Sequence, residues 1–184
     1  MNKIFVKTTN VKNFIGLVEN LINKPKNIPK MGLVYGEPGL GKSQTALWLA
    51  CKYDGIYLRV TNLMTGRWLL EEIVKELDEI PRFLTSDNFN IVVKKLKNNP
   101  QVIFIKHLYD RFSEILKFET FGVNDIGLII NQLSEITFTP ETIEYIHTKY
   151  NRFRQIVQLI NKMETFAKDN NLAEINMEVI NQII

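Results

Sequence analysis

Gly36-Glu37-Pro38-Gly39-Leu40-Gly41-Lys42-Ser43 matches G-x-x-x-x-G-K-[ST], and this stretch restricts the fold of the chain more than any other. Its glycines let the backbone turn tightly and aim successive N–H groups inward, which makes an anion nest. A helix starting at the end of the loop points the positive end of its dipole at the same spot. The mechanism therefore demands a strand before the motif and a helix after it. Met31–Tyr35 (MGLVY) is a short apolar run suited to a buried parallel strand, and Ser43–Tyr53 reads as a helix. In that setting Gly36, Glu37, Pro38, Gly39, Leu40, Gly41, Lys42, Ser43 and Gln44 form the candidate phosphate site. Lys42 is expected to reach the β- and γ-phosphates as the catalytic cation, and the Ser43 hydroxyl to ligate Mg²⁺.

The rest of the chain supplies a consistent frame. Val11, Phe14, Ile15, Val18, Leu21 and Ile22 recur at helical spacing, with Thr9 or Asn10 placed to cap, and a Pro-containing loop follows. Gly55–Val60 is a second strand and Gln101–Ile105 a third. Between them lie two amphipathic helices, Gly66–Ile80, ended by Pro81, and Ser86–Asn99, capped by Ser86 or Asp87 with its lysines late. Alternating strands and helices predict an α/β parallel sheet covered by helices. After about Gly122 every segment is helical: 123–136, 139–150, 152–170 and 176–184, with Asp125 and Thr139 as caps and Pro140 at a first helical position. The expected division is an α/β nucleotide-binding domain over 1–122 and a helical lid over 123–184.

The residues inside the loop carry a resemblance. Glu37-Pro38-Gly39-Leu40 before Gly41-Lys42-Ser43 resembles the loop of AAA+ ATPases, a P-loop NTPase class with a parallel sheet flanked by helices and a C-terminal all-helical lid. Within that class the chain looks most like the phage Mu B transposition protein family of target-DNA-binding ATPases. Thr9-Asn10-Val11-Lys12-Asn13-Phe14 matches that group's N-terminal T-x-x-x-x-F helix, expected near the adenine, although a helix that merely covers the sheet explains the same residues. The segment His107–Phe121 resembles the one that presents an arginine to a neighbouring subunit's γ-phosphate, and Arg111 is its match. A guanidinium there would stabilise transition-state charge; a surface arginine paired with Asp110 is the alternative. Asn151–Ile160 resembles the lid helix whose arginine contacts nucleotide. Arg154 aligns best and Arg152 is second choice, a solvated helix charge being the plain reading of either. The resemblance implies ATP and Mg²⁺ as cofactors. It also implies ATP-promoted homo-oligomers on DNA, largely without sequence preference, and contact with a transposase.

One part of that machinery is missing. Such an ATPase needs a strand ending in two acids, one for Mg²⁺ and one to activate water. The strand in the right place, Val102–Ile105, is followed by Lys106-His107-Leu108-Tyr109. The arginine-bearing segment then arrives at once, without the intervening helix and strand. The resemblance puts that absent strand between the loop's strand and Val102–Ile105, so its loss would leave a slot in a parallel sheet. Each buried backbone group left unsatisfied there would cost about 1–3 kcal/mol. The expectation is that a Walker B to sensor 1 segment of about 30 residues or more belongs near Ile105–Lys106. The alternative is a degenerate chain that binds ATP without hydrolysing it.

Composition adds limits. The formal charge of +3 permits an acidic partner without demanding one. Lys94, Lys95, Lys97, Lys149, Arg152 and Lys162 could meet DNA phosphates or simply be solvated faces. No apolar run reaches membrane-spanning length, the start does not read as a signal peptide, and the lone Cys51 fits a reducing cytoplasm as a buried structural thiol. His107 and His147 lack partners at ligand spacing, which argues against a metal role. The expected function is ATP-dependent DNA binding that assists transposition or a related phage process. A nucleotide-gated protein-interaction module and an ATPase of a secretion-type system are the alternatives.

Overall fold

The computed structural model describes residues 4–25, 30–61, 63–98, 102–106 and 114–183. In chain order the elements are α1 (Thr9–Asn23), β1 (Gly32–Gly36), α2 (Lys42–Lys52), β2 (Ile56–Arg59), α3 (Gly66–Glu76), α4 (Thr85–Asn98), β3 (Ile103–Lys106), β4 (Glu114–Phe118), α5 (Val123–Leu133), β5 (Thr137–Phe138), α6 (Pro140–Lys149), α7 (Phe153–Asp169), β6 (Glu174–Ile175) and α8 (Met177–Ile183). They fall into two compact units, Met1–Lys42 with Ser113–Ile184, and Ser43–Phe112.

In the first unit β1 runs parallel to β4, from Gly32 opposite Glu114 to Gly36 opposite Phe118. β4 is a strand that the reading of residues 107–121 as one arginine-bearing segment did not foresee. Alternation puts Val34, Leu116 and Phe118 on one face of the pair and Leu33, Tyr35, Ile115 and Lys117 on the other. Helix α1 lies on the first face. A Cβ on Gly32 would come within 2.9 Å of Leu17 and Leu21, and the Phe14 ring meets Phe118 edge-on with centroids 5.9 Å apart. On the second face Tyr35 and Ile115 are exposed. β1 was expected to be buried on both faces, as parallel strands backed by two helical layers are. Here α1 covers one face, and β4 is the one described strand beside it.

The helices of this unit bury more completely. Ile156, Leu159, Ile160, Met163, Glu164 and Ala167 fall at helical spacing along α7 and are all buried. They close over Ile126, Ile129 and Ile130 of α5, Ile146 of α6 and Ile180 of α8, each fully buried. Each such side chain contributes about 1.5–3 kcal/mol when removed from water. Glu164 is tolerated in this core because a carboxylate oxygen accepts from the Glu135 N–H at 2.7 Å. Thr139 caps α6 as expected, accepting from the Thr142 N–H ahead of Pro140. Two other expected caps lie one turn inside. α1 begins after Thr8, so Thr9 and Asn10 are helical, and α5 begins after Gly122, so Asp125 sits in its first turn. These residues tie elements together instead. Thr9 donates through N–H and Oγ1 to Asp125 Oδ1, both at 2.9 Å. Asn10 donates to the Glu119 carbonyl at 2.8 Å and accepts from its N–H at 3.1 Å. A two-residue parallel pair, β5 with β6, also crosses this otherwise helical region.

In the second unit β2 runs parallel to β3, from Ile56 opposite Ile103 to Arg59 opposite Lys106. Ile56, Leu58, Ile73, Val74 and Val92 form its core, with Leu69, Leu70, Leu77, Ile91, Leu96 and Ile103 packed around them. α3 ends at Glu76, ahead of Pro81, where Asp78 takes a left-handed turn at φ 57°. α4 begins at Thr85, so Ser86 and Asp87 lie within its first turn rather than before it. The α3–α4 connection is fastened by buried Asn88, which accepts from the Arg82 N–H at 2.6 Å and donates to the Arg82 carbonyl at 3.0 Å. Cys51 is exposed, not buried, because it falls on the outer side of the last turn of α2.

Where one continuous sheet was expected, the described residues hold β1 with β4 and β2 with β3 as separate parallel pairs, besides the short β5–β6 pair, and no described strand bonds to members of two of them. Residues 107–113, between β3 and β4, lie outside the described residues.

Candidate functional site

The phosphate loop leaves β1 at Gly36 and enters α2 at Lys42. Its bend is made by Gly36, Gly39 and Gly41, at φ 140°, 87° and 92°, values that side chains rarely adopt. At Gly36 space adds a second requirement, since a Cβ there would stand 2.6 Å from the Phe118 carbonyl oxygen across the β1–β4 pair. Leu40 is buried and anchors the loop from beneath, while Glu37 and Pro38 are exposed. The Lys42 ammonium folds back over the loop and donates to the carbonyl oxygens of Gly36 and Glu37 at 2.8 and 2.7 Å. The loop thus holds a cation at its glycine bend, an arrangement that fits a polyphosphate.

Ser43 and Gln44 follow on the first turn of α2 and are exposed. Among the described residues there is no cluster of three or more His, Cys, Asp or Glu side chains that could hold a metal ion. That donor set fits Mg²⁺ in one way, with the Ser43 hydroxyl as protein ligand and phosphate oxygens and water completing the shell. Bound there, the ion would neutralise phosphate charge.

The two candidate arginines before and on α7 stand differently toward the loop. Arg154 is exposed on the first turn of α7, and no hydrogen bond or ion pair among the described residues joins it to the loop. It is Arg152, immediately before the helix, that reaches the loop. Its Nη2 lies 3.2 Å from Glu37 Oε2, and its Cβ is 3.4 Å from the point where a Gly39 Cβ would stand. Phe153 beside it meets Phe121 with ring centroids 6.3 Å apart. Arg111 lies outside the described residues, as does His107.

Several residues around the loop were invisible to motif reading. Phe118 ends β4 opposite Gly36, and Glu119, which follows it, is bonded by Asn10, so the start of α1 is held close to the loop. Thr9 and Phe14 of the T-x-x-x-x-F pattern serve packing, on Asp125 and Phe118. The end of β3 carries Ile105 and Lys106, so the described residues place no carboxylate there.

No protein-family model matches the chain, and no curated protein matches it by sequence. Solved structures do share its fold. One RuvB variant from Thermotoga maritima is 14% identical with a TM-score of 0.64, covering 97% of this chain and 69% of that one. A second is 14% identical with a TM-score of 0.65, over 97% and 70%. At this identity the likeness concerns the fold alone, which is the P-loop NTPase fold of AAA+ type. Among the described residues no helix is long and apolar enough to cross a membrane.

Proposed function

We propose that this chain is an AAA+-type ATP-binding protein that seats ATP and Mg²⁺ in the loop Gly36–Ser43. The observation that carries the reading is the glycine nest closed by Lys42, whose ammonium sits 2.8 and 2.7 Å from the Gly36 and Glu37 carbonyls. Arg152 on the far side of Glu37 adds a second cation within reach of phosphate. ATP with magnesium should raise the melting temperature of the wild-type chain and leave Lys42→Ala unmoved. A wild type that ignores saturating ATP would sink the reading.

The use made of that binding is proposed with less from the fold and more from the sequence. Resemblance to the Mu B family supports ATP-dependent, largely nonspecific DNA binding, a transposase partner and ATP-promoted homo-oligomers. Lys94, Lys97 and Lys149 are exposed and suit phosphates, whereas Lys95, Arg152 and Lys162 are engaged by Glu79, Glu37 and the Ile183 carbonyl. Under this reading DNA binding needs ATP and weakens steeply with salt. A second reading, favoured by the missing acid at the end of β3, is a nucleotide-gated module that binds ATP without turnover. Phosphate release above background, abolished in Lys42→Ala, would decide for the ATPase.

A further inference from the structure

We propose that Glu37 is a built-in competitor for Arg152: its carboxylate and the phosphates of a nucleotide contend for that guanidinium. The inference rests on the ATP-binding reading above.

Position comes first. Arg152 precedes α7 with φ −114° and ψ 133°, so its side chain departs from extended backbone rather than from the helix surface. Its Cβ, Cδ and Cγ lie 3.4, 3.6 and 3.8 Å from the site of a Gly39 Cβ, so the stem runs along the loop. The tip then lies on Glu37 at 3.2 Å. The backbone here is anchored separately, through Phe153 on Phe121. Rotation about the side-chain bonds of Arg152 alone can therefore exchange one acceptor for another.

Strength decides the direction of exchange. The Arg152 and Glu37 side chains are 44% and 58% exposed, and such pairs shift an equilibrium by about fivefold or less. A triphosphate offers more negative charge than one carboxylate, and its oxygens suit bidentate binding by a guanidinium. Glu37 therefore holds Arg152 loosely enough for nucleotide to take it, yet its hold opposes binding until it is released. The competitor belongs to the loop itself, at the second residue of the motif.

The test is a double-mutant cycle read by binding of a fluorescent ATP analogue with magnesium. Glu37→Gln should tighten binding about two- to fivefold, and by clearly less when Arg152 is Gln. Arg152→Gln should cost more in the Glu37→Gln background than in wild type, and Arg152→Lys should keep part of the coupling. Equal effects of Glu37→Gln in both backgrounds would overturn the proposal, since simple repulsion of phosphate would then explain Glu37. If wild type and every variant fail to bind the analogue, the ATP-binding reading itself falls. Both side chains are exposed, and matching circular dichroism spectra would establish that the variants fold.

Discussion

The two units are built from the same ingredients, a parallel strand pair backed by helices, and they finish very differently. In the first, Ile126, Ile129, Ile130, Ile146, Ile160, Met163, Ile175 and Ile180 have no exposed surface at all. In the second, Leu49 and Val74 are fully buried and Ala50, Ile56, Leu58, Ile73, Val92 and Phe104 nearly so, while Ile80, Phe83, Leu84, Phe89 and Val93 stand in solvent, Ile80 at 77% and Phe83 at 83% exposure. Size explains part of this, because a small unit has too much surface for its volume to bury every apolar side chain. Architecture explains the rest. In the first unit α5, α6, α7 and α8 close on one another, whereas in the second α3 packs on α4 and on β2 of a two-stranded sheet. The phosphate loop grows from the better-packed unit, which suits a site whose geometry must not drift.

The contrast can be broken experimentally. Ile160→Ala should cost about 2–5 kcal/mol in denaturant unfolding, and a loss below 1 kcal/mol would show that the helical core is not tightly packed. Gly36→Ala comes next. Its Cβ would press on the Phe118 carbonyl at 2.6 Å, at a positive φ of 140°. A loss of about 1–3 kcal/mol is expected, together with weakened ATP binding. Phe83→Ser in the second unit should change stability by no more than about 0.5 kcal/mol. A cost above 2 kcal/mol would mean that this ring is packed, and the contrast between the units would narrow.

The smallest effect concerns pH. Lys95, chiefly through its hydrogen bond at 2.7 Å, holds the Glu79 carboxyl below its ordinary value of 4.5. The stability from this pair is thus present above that value and is lost as pH falls through the lower folded value. Melting curves of wild type and Glu79→Gln should differ slightly at neutral pH and coincide in strong acid. A difference that persists there would assign the effect to something other than charge.

How far the sequence could be read follows from range. The loop was legible because its glycines, Lys42 and Ser43 lie within one short stretch and each has a local reason. The helices were legible from the spacing of residues such as Ile156, Leu159, Ile160 and Met163. β4 was not, because Glu114-Ile115-Leu116-Lys117-Phe118 becomes a strand by pairing with β1, more than seventy residues earlier, and no local pattern announces that. Caps failed at Thr9 and Asp125 because these side chains bond each other across the fold rather than their own helix ends. Of the two arginines that the resemblance offered, Arg154 aligns better, yet it is Arg152, just before the helix, that meets Glu37, a contact between distant parts of the chain that no local pattern announces.

Asn10 and Asn88 each turn a side-chain amide toward one residue's backbone, giving and taking a hydrogen bond as a neighbouring strand would. Slow deamidation is therefore a hazard of shape as well as charge. Aspartate at either place would set a carboxylate oxygen against the peptide oxygen of Glu119 or Arg82 and unpick the seam. Both side chains are buried within helices, which shields them from that chemistry.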